Sequence, residues 1–85
     1  MPSVQELLTR IRANPKHVRF SDAKRVCDHY FGEPRIHGSH HVYRTPWTGD
    51  PRVNIQNRSG MVSPYQVRQM MAAVERMVND GYQGR

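Results

Sequence analysis

Arg35-Ile36-His37-Gly38-Ser39-His40-His41-Val42-Tyr43-Arg44-Thr45 is the stretch on which the fold turns. Gly38-Ser39 is an apt two-residue tight turn, so residues 35–37 and 40–45 read as the two arms of a hairpin. Side chains alternate across a strand. His41, Tyr43 and Thr45 therefore share one face, and His40, Val42 and Arg44 share the other. Downstream, Trp47 to Pro51 forms a loop with Gly49-Asp50-Pro51 as turn residues. Arg52-Val53-Asn54-Ile55-Gln56 then alternates polar and apolar, the pattern of a half-buried third strand, and Arg58-Ser59-Gly60 turns again.

Helical signals flank this sheet on both sides. Ser3 and Glu6 have the spacing of a capping box. Val4, Leu7, Leu8 and Ile11 follow as one apolar stripe, ended by Asn14-Pro15. Ser21-Asp22 opens a second helix with Ala23, Val26, Cys27 and Tyr30 on one face, Gly32 as its C-cap and Pro34 as its stop. Ser63-Pro64-Tyr65-Gln66 opens a third, with Ser as N-cap, Pro at the first helical position and Gln at the third. Val67, Met70, Met71, Val74, Met77 and Val78 form its apolar face, and Gly81 ends it. The order is α-α-β-β-β-α: an α+β chain with a three-stranded antiparallel sheet and helices on one face, the two-layer solution open to a small mixed chain. The connector from Asn14 to Arg19 lets the first helix fold back or reach another chain.

A chain of 85 residues holds one domain. No apolar run approaches the ~20 residues of a membrane span, and the N-terminus lacks the apolar segment of a signal peptide. The single Cys27 leaves no internal disulfide and fits a reducing cytoplasm. Thirteen Lys and Arg against seven Asp and Glu give a net charge of +6, spread along the chain without a basic tail, and arginine dominates. Arginine suits bidentate contact with phosphate or carboxylate. A surface facing a polyanion and a merely solvated arginine-rich surface both fit this balance.

Three histidines lie within five positions: His37, His40 and His41. A metal site needs three or four ligands. His37 and His40 can meet across the turn, but His41 points away and Cys27, Asp28 and His29 lie on another element. No metal or other cofactor is expected. Histidine titrates near neutral pH and can serve as a general acid or base. A half-buried, hydrogen-bonded structural histidine is the alternative, above all for His41 beside Tyr43. A serine triad is unsupported, because no G-x-S-x-G elbow accompanies Ser39.

Gly38-Ser39-His40-His41-Val42-Tyr43, followed by Asn54-Ile55-Gln56 and Pro64-Tyr65-Gln66-Val67-Arg68-Gln69 and preceded by Arg19-Phe20-Ser21-Asp22, resembles the HicA family of bacterial toxins from type II toxin–antitoxin pairs. The likeness covers residues 19–78 as the core, with residues 1–14 as the extra N-terminal helix of the family's longer branch. It implies a double-stranded-RNA-binding-like α-β-β-β-α fold, an RNA-cleaving toxin that acts on mRNA, a HicB-type antitoxin partner, and a catalytic histidine at His40. Related chains often carry Lys just before P-Y-Q. Here Met61-Val62-Ser63 stands in that place, with Arg58 as the nearest substitute.

RNA carries its own nucleophile, the 2′-OH, so a metal-free nuclease needs a proton-transfer group and positive charge for the phosphate. His40 is the candidate acid/base, with His41 as its competitor and His37 as a second proton-transfer group. Arg44, two residues on from His40, is a phosphate contact by position alone, with Arg35 and Arg52 on the flanking strands. Trp47, in a polar loop, is the candidate for base stacking or for a partner contact. Tyr43 and Tyr65 are lesser stacking candidates. Two other classes remain open: a non-catalytic RNA-binding module, and an interaction protein whose basic surface meets an acidic partner.

Overall fold

The computed structural model describes residues 2–47 and 52–81. The expected Gly49-Asp50-Pro51 turn and the tail from Gln83 to Arg85 lie outside them. The elements are α1 (Val4–Ala13), β1 (Val18–Arg19), α2 (Phe20–Phe31), β2 (Arg35–His37), β3 (His40–Tyr43), β4 (Val53–Gln56), β5 (Met61–Val62) and α3 (Pro64–Asn79). The central sheet has the order β2-β3-β4, antiparallel throughout. Gly38 takes φ +58° at the first position of the β2–β3 turn. A residue with a Cβ is strained there, which is why the turn falls on the glycine.

The pleat sorts the sheet into two faces. Tyr43, Val53 and Ile55 are buried and form the covered face, against which α2 and α3 pack. α2 contributes Phe20, Ala23, Val26, Cys27, Tyr30 and Phe31 to the same core, and α3 contributes Val67, Met70, Ala73, Val74 and Met77. Val78, expected on that apolar face, is 52% exposed, and Met71 is only partly buried. The helical period places Ala73 inward instead. Tyr43 is fully enclosed, and its hydroxyl donates to Asp28 Oδ1 at 2.7 Å. Lys24 holds the other carboxylate oxygen at 2.7 Å. A buried phenol needs such an acceptor.

α1 folds back onto its own chain. Leu7, Leu8 and Ile11 are buried, α1 packs on α2, and the Arg25 guanidinium donates to the Pro2 carbonyl at 2.6 Å. The expected cap is present: Ser3 Oγ accepts from the Glu6 amide at 3.1 Å.

Two short elements escape the sequence pattern. β1 and β5 pair as a separate antiparallel ladder, Val18 with Val62 and Arg19 with Met61. Two residues are too few for any periodicity to register. This ladder also moves the start of α2, expected at Ser21-Asp22, to Phe20. The Phe20 amide donates to the Gly60 carbonyl at 2.8 Å, so a backbone group satisfies one of the donors that a helix start leaves open. The strands are shorter than the alternation suggests: β3 ends at Tyr43 rather than Thr45, and β4 begins at Val53 rather than Arg52. Ser63 caps α3 by accepting from the Gln66 amide at 3.3 Å. Gln66 does not complete a capping box. Its side-chain oxygen accepts from the Gln56 amide at 2.9 Å and ties the start of α3 to the end of β4.

Candidate nucleic-acid face of the sheet

The face of the sheet opposite the helices carries the polar residues. Register puts them in rows. His40 pairs with His37 on one side and Gln56 on the other; Val42 pairs with Arg35 and Asn54. Residues directly opposite in an antiparallel sheet lie ~5 Å apart at Cβ. His37, His40 and Gln56 therefore form one row, and Arg35, Val42 and Asn54 the next. His37 and Arg35 are exposed; His40, Val42, Asn54 and Gln56 are half-buried.

His40 is the anchored member. Its Nδ1 lies 3.2 Å from Asn54 Oδ1, a diagonal neighbour on β4. An amide oxygen accepts, so the ring donates from Nδ1, and in its neutral form Nε2 keeps its lone pair. Gln56 is fixed in turn. Its amide nitrogen donates to Ser39 Oγ at 3.1 Å and its carbonyl accepts from Arg58 Nε at 3.2 Å. The turn end of the sheet is thus cross-tied from Ser39 through Gln56 to Arg58, and a guanidinium stands beside the histidine row.

The other expected residues fall in different places. His41 projects to the covered side, edge-on to the Phe20 ring at 4.8 Å between centroids. Its Nδ1 is enclosed without a hydrogen-bond partner, so it is half-buried as expected but does not share the face of His40. Arg44 is exposed one residue past the end of β3. Arg52 and Trp47 do not join His40: both line a cleft against α3, with Val53, Gln69, Ala72, Ala73 and Arg76. Trp47, read as a free ring in a polar loop, packs partly against the core, and the Arg76 guanidinium stacks over it at 4.4 Å. Tyr43 is core and cannot meet a base. Tyr65 is 61% exposed, with its hydroxyl accepting from Gln69 at 2.9 Å.

Sequence reasoning gave no role to Asn54, Gln56 or Arg76. The alternation of β4 marks Asn54 and Gln56 as one polar face, but only the β3–β4 register shows that this face meets His40. Burial pushes the Cys27 thiol well above its ordinary value, with Asp28 adding to the effect, so it is not a reactive nucleophile. Among the described residues, no three His, Cys, Asp or Glu side chains are grouped as a metal ion requires, and no helix is long and apolar enough to cross a membrane. Comparisons with protein-family models, with curated proteins and with solved structures return no match.

Proposed function

We propose that the protein is a metal-independent ribonuclease, the toxin of a toxin–antitoxin pair of the HicA kind, acting on RNA across the open face of its sheet. The observation that carries this reading is His40, held by Asn54 with His37 directly opposite. The α2-β2-β3-β4-α3 order is compatible with the double-stranded-RNA-binding-like arrangement that the resemblance implies. His40 Nε2 takes the proton of the ribose 2′-OH. O2′ attacks the phosphorus, the P–O5′ bond breaks, and the departing O5′ takes a proton from His37. The products are a 2′,3′-cyclic phosphate and a 5′-hydroxyl end. Arg35 shares this face, and Arg44 and Arg58 lie at its ends; their charge stabilises the phosphate as negative charge builds on it. The 2′-OH requirement confines the reaction to RNA. An acidic HicB-type antitoxin covering this face is the partner in this reading, and the cytoplasm, where Cys27 stays reduced, is its compartment.

The test is cleavage of a mixed-sequence RNA in the presence of a chelator by the protein and by His40→Ala. The variant should melt at the same temperature and cleave ~10²–10⁴-fold more slowly. The deoxy analogue should survive both. Undiminished cleavage by His40→Ala would remove the assignment. Equal RNA binding by both with no cleavage by either would mark a non-catalytic binding module.

A further inference from the structure

The cleft between the Trp47 segment, the start of β4 and α3 carries chemistry that the histidine face does not use. It measures about 240 Å³ and is lined by Trp47, Arg52, Val53, Gln69, Ala72, Ala73 and Arg76. Two arginines line it, and among the described residues no carboxylate does. Its floor is apolar: Val53 and Ala73 are buried. The Arg76 guanidinium lies over the indole ring, its Cζ 4.4 Å from the centroid. A guanidinium held over a ring by cation–π attraction is partly ordered already, so less freedom is lost when it meets an anion. The nearby Asp80 carboxylate pairs loosely with Arg76, 3.7 Å from its Nε and beyond hydrogen-bond length. The Trp47 Nε1 is enclosed without a hydrogen-bond partner.

We infer that this cleft is a second RNA subsite, holding one nucleotide of the strand outside the reacting bond: its phosphate on Arg52 and Arg76, its base against the Trp47–Arg76 stack. The inference rests on RNA being the ligand of the sheet face. Charge complementarity selects an anion, and the aromatic–guanidinium wall over an apolar floor selects one with a planar base attached. The position fits a strand that continues from the histidine row. Arg52 is four residues from Gln56, the cross-strand neighbour of His40, or ~13 Å along β4. The cleft lies on the α3 side of the sheet, so a strand leaving the histidine row past Asn54 reaches it by turning round the edge strand β4.

The chain contains a single tryptophan, so the cleft has its own fluorescent reporter. His40→Ala protein, which leaves RNA intact, is titrated with a single-stranded octanucleotide and with a trinucleotide, following both Trp47 emission and anisotropy of labelled RNA across a salt series. The octanucleotide should quench Trp47 and the trinucleotide should bind more weakly. Adding Arg76→Ala should weaken octanucleotide binding about tenfold and lower the slope of log K against log salt by ~0.7, one single-strand phosphate contact. Arg76→Lys, which keeps the charge but not the guanidinium, should restore the slope and not the quench. An octanucleotide that binds without quenching overturns the subsite, as does unchanged affinity in Arg76→Ala. Quenching by an oligoglutamate peptide but not by RNA assigns the cleft to a protein partner instead. The nuclease reading fails separately, on absent cleavage by the unsubstituted protein, whatever the quench shows.

Discussion

At the scale of single residues, the decisive relation is between His40 and Asn54. An imidazole on an exposed sheet face has two tautomers and a free ring flip. The 3.2 Å contact between His40 Nδ1 and Asn54 Oδ1 removes that freedom. Asn54→Ala should therefore lower kcat for RNA cleavage about tenfold, the worth of one hydrogen bond of ~1.4 kcal/mol, with little change in KM. Asn54→Asp keeps the acceptor and should restore much of kcat. It also places a carboxylate beside the ring, which favours the charged imidazolium. A general base must be neutral, so the acidic limb of the pH–rate profile should move to higher pH in Asn54→Asp. A profile that stays in place while kcat falls would mean that Asn54 only supports the sheet. The same logic separates His40 from His41: adjacent in sequence, they lie on opposite faces, and only His40 has its ring oriented by a polar partner.

At the scale of elements, the sequence announces what its local chemistry enforces. Ser3 and Ser63 cap α1 and α3 where the capping pattern places them, and Gly38 bends the β2–β3 hairpin because glycine takes the positive φ without strain. The β1–β5 ladder is invisible to periodicity, and so is the register that brings Asn54 beside His40. Both depend on contacts between residues far apart in sequence. Alternation along β4 puts Arg52 on the face of His40. Because β4 starts only at Val53 and Arg52 precedes it, that extrapolation fails, and Arg52 lines the α3 cleft with Trp47. α1 illustrates the other limit, since its apolar stripe shows that it must bury but not against what. It buries against α2 of the same chain. Leu8 is 1% exposed, so Leu8→Ala should cost ~2–5 kcal/mol in denaturant unfolding, while Thr9→Ala on the exposed side should stay within ~0.5 kcal/mol. A Leu8→Ala cost no larger than that of Thr9→Ala would make α1 an appendage rather than part of the core.

At the scale of the whole molecule, charge and stability are separated in space. Among the described residues no polar or charged residue is buried, and the ion pairs Lys24–Asp28 and Arg76–Asp80 are half-exposed, one helical turn apart in sequence. Such pairs contribute little. The melting temperature should therefore change little between 0.05 and 0.5 M salt, while RNA affinity over that range should fall by orders of magnitude. Parallel losses of both would mean that the charges hold the fold together. The titration that does reach the core comes from neutral groups. Burial pushes up both the Cys27 thiol and the Tyr43 phenol, and the bond to Asp28 adds to the latter. Both keep their protons in the folded chain at a pH where the unfolded chain releases them, near 9.0 for the thiol and 10.0 for the phenol. A group whose folded pKa is raised contributes stability in full below its unfolded pKa and loses it as pH climbs toward the folded value. Stability should thus be flat with respect to these groups up to about pH 9 and fall above it, by at most ~1.4 kcal/mol per pH unit for each group. Thermal melts from pH 7 to 11 read this directly. Cys27→Ala and Tyr43→Phe will each lower stability at pH 7 through lost packing or a lost hydrogen bond, yet each should flatten the alkaline decline by one group's share. An alkaline decline as steep in both variants as in the unsubstituted protein would place its origin elsewhere than in the core between α2 and β3.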